Sequence, residues 1–237
     1  MRRVGIIAAM PGELKPLVQG WKPLHLPHGE NAWHGNLEGA ACIAVCAGMG
    51  KAAAERACAI AVREAPLNTL VSMGWAGALS CGMQPGDAYV LNEVVDGASG
   101  EAFPTESPAR AGNAPPLRLV TMDHVALAAE KRRLGESYQA VMVDMEAVTV
   151  ARFARSQGIP FYCLKAVSDT ANEVLPDFSR YTDTQGQLQL AALLAHVAIR
   201  PQYWPGLARI GKNGKKGAFA MASALGPLVG DQNLTRG

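Results

Sequence analysis

Val4-Gly5-Ile6-Ile7-Ala8-Ala9-Met10-Pro11-Gly12-Glu13 is an unbroken apolar run that ends at a proline and an acid. A run without polar alternation predicts a strand buried on both faces over Val4–Ala9. Pro11 then suits the first turn of a short helix, where its missing N–H would be unpaired anyway. Similar runs recur at Thr69–Met73, Leu117–Thr121, Gln139–Val143 and Phe161–Val167. Ala32–Leu37 and Ala41–Ala47 read as strands with Gly35 and Gly39 at turns, and Asp87–Val95 as one more. Alanine-rich Ala52–Arg63, closed by Pro66 and Asn68, predicts a helix, as do a segment from near Met145 and Gln187–Ile199. Pro201 and Pro205 break the last of these before a short helix over Ala218–Leu225. Gly74–Gly77 reads as a glycine turn. Gly97–Pro116, rich in Gly, Pro, Ala and Ser without a period, reads as a mobile or partly disordered loop.

Strands alternating with helices predict a single-domain three-layer α/β/α fold with a mixed, mostly parallel central sheet. The expected division is a catalytic domain over 1–199 and a basic, partly helical tail over 200–237. The 237 residues suit one large domain. A net charge of +2 argues against a protein built to grip nucleic acid. The five cysteines are odd in number and show no CxxC pair, so neither a disulfide framework nor a metal site is expected. Reduced thiols, no apolar run long enough to span a membrane, and an opening run too short for a signal peptide point to the cytoplasm. The tail carries Arg200, Arg209, Lys212, Lys215, Lys216 and Arg236 against Asp231 alone. It reads either as a peripheral contact with the inner membrane surface or as a helix on the body with solvated charges.

Three strand ends carry polar residues, at Ala9–Glu13, Val143–Glu146 and Val167–Asp169. Ligands of open α/β sheets bind at the carboxyl ends of strands, and a carboxylate there can serve as acid, base or hydroxyl acceptor. Asp144 or Asp169 could equally cap the next helix. Gly48-Met49-Gly50-Lys51 and Gly74-Trp75-Ala76-Gly77 offer backbone N–H groups to a sugar or an anion. Neither completes a dinucleotide fingerprint, since Ala53 stands where a third glycine would be.

Val4–Glu13 resembles the opening of the methylthioadenosine/S-adenosylhomocysteine nucleosidases, and Ala47-Gly48-Met49-Gly50-Lys51 resembles their second glycine turn. Ser72–Leu79 followed by Pro85-Gly86-Asp87, then Val143-Asp144-Met145-Glu146-Ala147 and Lys165-Ala166-Val167-Ser168-Asp169, resemble motifs of the nucleoside phosphorylase superfamily. Leu70–Gly74, Asp144–Glu146 and the Arg200-Pro201 tail look most like hopanoid-associated phosphorylases.

The resemblance implies an enzyme that cleaves the N-glycosidic bond of a purine nucleoside, with adenine as base and a 5′ substituent. It implies phosphorolysis with inorganic phosphate as co-substrate; the alternative is hydrolysis of the methylthioadenosine/S-adenosylhomocysteine type. A purine-nucleoside sensor on the same fold is the non-enzymatic alternative. No other cofactor and no metal are implied, and the assembly expected is a homo-oligomer, dimer first. Asp169 would be the general acid towards purine N7, positioned by Ser168, with burial raising its pKa. Glu146 would accept the ribose hydroxyls and Met145 would pack on the sugar. Glu13 would activate a water. Ala76 and Gly77 would approach the ribose, and Val125 and Val143 would line the base pocket. Trp75 stands where relatives often carry serine, and it would either meet an apolar 5′ group or simply pack. Gly48, Lys51, Lys15, Ser72 and Arg56 are the candidates for holding phosphate.

Overall fold

β1 (Arg3–Ala8) is buried from Val4 onward, and the chain around it falls into layers because its side chains alternate between two cores. The computed structural model describes residues 2–26, 30–107, 114–173 and 204–230. Ile7 belongs to one core, with α2 (Lys51–Glu64) and α4 (Ala147–Gln157). Val4, Ile6 and Ala8 belong to the other, with α1 (Pro11–Leu14) and α5 (Trp204–Gly230). A sheet residue that packs alternately up and down needs a helical layer on each side, and both are present.

The remaining strands are β2 (Lys22–His25), β3 (Asn31–Leu37), β4 (Ala40–Cys46), β5 (Thr69–Ala78), β6 (Ala88–Leu91), β7 (Glu93–Asp96), β8 (Ala102–Pro104), β9 (Arg118–Thr121), β10 (Met142–Asp144) and β11 (Phe161–Asp169). Together with β1 they form one mixed sheet among the described residues, ordered β2-β3-β4-β1-β5-β10-β9-β7-β8, with β11 branching from β5 and β6 pairing antiparallel with β11. The sheet forks at β5. Its first half pairs in parallel with β1, its length to Gly77 pairs in parallel with β11, and Gly77 and Ala78 pair antiparallel with β10. α3 (Ala128–Tyr138) covers β9 and β10 through Leu134, Val120 and Val143.

The structure differs from the sequence reading at several places, β2 among them, which the sequence reading did not name. Gly74–Gly77 is not a turn but part of the second half of β5, held extended because β11 and then β10 pair with it. Asp87–Val95 is two strands separated at Asn92. Of the Gly97–Pro116 loop, residues 108–113 lie outside the described residues. Within the rest, β8 pairs with β7, and Arg152 and Arg155 of α4 hold Glu101 and lie over the Phe103 ring. α3 is an element the periodicity did not disclose. The short helix expected over Ala218–Leu225 is part of the 27-residue α5. Pro205 stands in its first turn, where proline is tolerated. The helix expected over Gln187–Ile199 lies outside the described residues. No helix among the described residues is long and apolar enough to cross a membrane. Cys42, Cys46, Cys58 and Cys163 are buried free thiols, while Cys81 is exposed.

Candidate active site

A cavity of about 330 Å³ opens where β1, β5 and β11 end and β10 turns into α4. Its volume falls in the range of small-molecule sites. Glu13, Trp75, Ala76, Gly77, Val125, Val143, Met145, Glu146, Ser168 and Asp169 all line it. The fork at β5 explains the convergence. Gly77 pairs with Val143 on one side and Asp169 on the other, so residues distant in sequence meet over one strand.

Glu13 comes from α1, directly after β1. Its Oε2 accepts the backbone N–H groups of Ala9 and Met10, each at 2.8 Å, and its Oε1 accepts that of Trp75 at 2.8 Å. Burial nevertheless raises its pKa above the ordinary carboxylate value, outweighing these bonds and the Lys165 charge. The space for this carboxyl is made by Gly74, where a Cβ would come within 2.8 Å of Glu13 Oε1.

Glu146 stands at the start of α4, and its Oε1 accepts the Gly50 N–H at 2.7 Å. Burial first, and then the neighbouring Asp144 charge, push its pKa up to about 7 against the opposing pull of Lys165 and Gly50. Asp144 is committed elsewhere. It accepts from Thr121 Oγ1 at 2.6 Å and from the Ala147 N–H at 2.9 Å, and it pairs with buried Lys165 at 2.8 Å. Its bond to the Ala147 N–H supports the first turn of α4, whose N-cap residue is Glu146.

Asp169 lies beyond a register shift between Val167 and Asp169 in the β11 ladder. Such an irregularity re-aims side chains at the end of a strand. One carboxylate oxygen of Asp169 accepts from Ser168 Oγ, which also contacts the Ala76 carbonyl at 3.2 Å. The other is in close contact with Lys131 Nζ. Lys131 is 1% exposed, projects from α3, lines the cavity and donates also to the Thr170 carbonyl at 3.0 Å. The burial expected at this strand end therefore comes with a cation against the carboxylate. A cavity Cβ on Gly77 would lie 3.2 Å from Lys131 Cε and 3.3 Å from Asp169 Oδ2, so the ion pair sits directly over that glycine.

Trp75 fills the wall between α1 and α5. Its ring lies against Gly12 and Gly214, and its Nε1–H donates to the Gly214 carbonyl at 3.0 Å. Through α5 the cavity gains Ile210 and Gly211. The helix is tied down further by Asn213 on the Ser168 carbonyl, Arg209 on Glu173 and Lys216 on Asp87. Lys212, Lys215 and Phe219 stay exposed.

The phosphate candidates are not brought to the cavity lining. Lys15 and Lys51 are exposed. Ser72 faces a small separate cavity behind Glu13 and Glu146, beside Lys165. The Gly48 N–H is spent on the Ala9 carbonyl, and Arg56 donates to the Ala47 carbonyl. The Gly48–Lys51 turn does hold an anion at the N-terminus of α2, but the anion is Glu146. Lys131, Lys165 and His124 were not singled out by sequence. His124 lines the cavity rim, paired with Asp123 and Glu130, and those two partners raise its pKa. No group of metal-ligating side chains gathers among the described residues.

A carboxylate-lined, largely apolar cavity at the strand ends of a covered mixed sheet defines a small-molecule site of an α/β protein. A family model described as the phosphorylase superfamily matches residues 3–129 and 118–199, and the chain belongs to that superfamily. Among solved structures, the 5′-methylthioadenosine/S-adenosylhomocysteine nucleosidase of Neisseria meningitidis with methylthio-immucillin-A is similar at a TM-score of 0.72 and 20% identity, over 97% of this chain and 99% of that one. The nucleosidase of the same name from Helicobacter pylori, with butyl-thio-DADMe-Immucillin-A, is similar at 0.70 and 18%, over 97% and 98%. Futalosine hydrolase of Helicobacter pylori is similar at 0.69 and 17%, over 96% and 97%. At these identities the likeness is one of fold.

Proposed function

We propose that the protein hydrolyses the N-glycosidic bond of a purine nucleoside, adenine first, carrying a substituent at the 5′ position. The observation that carries this reading is the disposition of Glu13. It is a buried carboxylate with a raised pKa in the cavity wall, suited to take a proton from water. Glu146 offers its second oxygen to ribose hydroxyls, with Met145 beside it and Ala76 and Gly77 beneath the sugar. Ser168, Asp169 and Lys131 form the base end, with Val125 and Val143 as apolar walls. Breaking the C–N bond leaves positive charge on the sugar and negative charge on the base. Carboxylates at the sugar and a proton at the base are the complementary arrangement.

Hydrolysis is preferred to phosphorolysis for an electrostatic reason. A phosphate would need donors or cations, and the described candidates are exposed, remote or already bonded. Two cationic or titrating side chains line the cavity, Lys131 and His124, and each is paired with a carboxylate. The nucleosidases and the hydrolase of similar fold agree with this preference. The likeness to hopanoid-associated phosphorylases adds bulky apolar 5′ groups to the substrates worth assaying, and the Trp75 ring is the surface such a group would meet.

Adenosine, 5′-methylthioadenosine, S-adenosylhomocysteine and a 5′-alkyl adenosine should be incubated with the protein, with and without phosphate. Free base released equally in both conditions is expected. Base released only with phosphate overturns hydrolysis, and no base from any of them overturns the enzymatic reading.

A further inference from the structure

We propose that His124 is a positioning residue of the base pocket: bridged between Asp123 and Glu130, its ring fastens the wall that carries Val125 and releases it when the imidazolium loses its proton. This rests on the nucleosidase reading above for the purine as ligand. Residues 122–127 join β9 to α3, and His124, Val125 and Ala126 of that segment line the cavity. His124 Nδ1 lies 2.6 Å from Asp123 Oδ1, and Nε2 lies 2.9 Å from Oε2 of Glu130, in the first turn of α3. The second contact closes residues 124–130 into a ring, with Val125 and Ala126 in the stretch it encloses. Backbone bonds anchor either side, from the Met122 N–H to the Asp144 carbonyl at 2.9 Å and from the Lys131 N–H to the Leu127 carbonyl at 2.8 Å. The N-cap of α3 is Leu127, which has no side-chain group to bond the first turn, and the His124–Glu130 contact ties loop to helix in its place.

The bridge needs a charged ring. An ionised carboxylate only accepts, so nitrogens that face two of them must both carry hydrogen. His124 holds the Asp123 carboxyl below the usual carboxylate range, and the two carboxylates in turn raise the pKa of His124. Arg133 reaches the other oxygen of Glu130 at 3.4 Å. The cavity lining also carries Glu13, Lys131, Asp144, Glu146 and Asp169, and among the described residues none of these bonds to His124. Once the ring is neutral, one nitrogen turns a lone pair to a carboxylate and that end of the bridge opens. Because the folded pKa is raised, the bridge is whole at acid pH and is lost as pH rises through the raised value. The ring is 43% exposed, so solvent screens the bridge and the effect on affinity is modest, about two- to five-fold.

His124→Gln and His124→Arg test the proposal. The glutamine is neutral at every pH, whereas the arginine stays charged and can donate to both carboxylates. The Kd for adenine should be measured by isothermal titration calorimetry, and kcat on the best nucleoside, from about pH 5.5 to about pH 9. Glu146 titrates in the same window, so each variant is compared with wild type at the same pH, where that contribution cancels. His124→Gln should bind adenine about two- to five-fold more weakly than wild type at acid pH, and the difference should close as pH rises. His124→Arg should match wild type at acid pH and bind about two- to five-fold more tightly at alkaline pH. The kcat of all three proteins should stay within about two-fold, since a wall that binds the base equally before and during bond breaking changes affinity alone. A glutamine defect that does not vary with pH, an arginine variant that behaves as the glutamine one, or a loss confined to kcat overturns the proposal and leaves hydrolysis standing. Wild-type protein that binds adenine but releases no base overturns the nucleosidase reading, and the Kd comparison still decides this proposal. Wild-type protein that binds no adenine at any pH overturns both.

Discussion

Glu13 accepts three backbone N–H groups yet keeps a raised pKa, because the cost of burying its charge exceeds what those bonds return. Glu13→Gln separates the two effects. The amide has one acceptor oxygen for donors that approach both ends, so a backbone N–H loses its partner, at a cost of about 1–3 kcal/mol. Base release should fall by about 10²–10⁴-fold while far-ultraviolet circular dichroism shows the fold retained. Glu146 predicts a pH effect on stability. Its pKa stands at about 7 in the folded protein against an ordinary carboxylate value of 4.5. Between those values the folded state holds a proton that the unfolded state has released, so stability falls as pH rises through the window. Urea unfolding at a series of pH values should show wild type losing stability relative to Glu146→Gln from about 4.5 to about 7, and running parallel to it above. The acids of this site were readable because each ends an apolar run. Lys131 and Lys165 were not. Lys131 lies in a helix whose Arg132, Arg133 and Glu136 are exposed, and Lys165 interrupts a strand with a charge whose ion-pair partner, Asp144, lies on another strand.

At the scale of elements, β5 decides the site's geometry. Glycines usually argue for a turn, and Gly74–Gly77 carries that signal. Pairing on both flanks overrides it, and the missing side chains leave room for Glu13 at Gly74 and for the Lys131–Asp169 pair at Gly77. A valine at Gly77 would press on that ion pair, at a cost of about 1–3 kcal/mol. Thermal melting should record the loss, and activity should fall more than the same loss of stability elsewhere would cause. The apolar strands and the alanine-rich α2 were legible because burial on both faces leaves a continuous signature. α3 was not, since among its residues only Lys131 and Leu134 are buried and no apolar stripe forms. α5 was obscured by its glycines and by Pro205 and Pro227, which local propensity counts as breaks. Tertiary contact compensates, with Gly214 letting Trp75 and Gly217 letting β11 come close.

For the whole molecule, α5 completes the second helical layer, while the boundary expected at residue 200 falls just ahead of it. Met221, Leu225 and Val229 are buried against the β1–β5–β11 face. Each is worth about 1.5–3 kcal/mol when fully buried. Set against a total stability of about 5–15 kcal/mol for an ordinary domain, their removal is not survivable. A chain ending at residue 203 should be unfolded or insoluble, as circular dichroism and gel filtration would show. The same helix carries Ile210 and Gly211 to the cavity and receives the Trp75 indole N–H at Gly214. That last bond makes the site optically self-reporting. Trp75 is an intrinsic fluorophore set into the wall of the ligand space, with its dipole anchored to the helix that closes that wall. A ligand entering beside the ring would exchange water for carbon at its face, and the emission is expected to move toward the blue. Occupancy can therefore be followed by light alone, before any bond is broken and without a label.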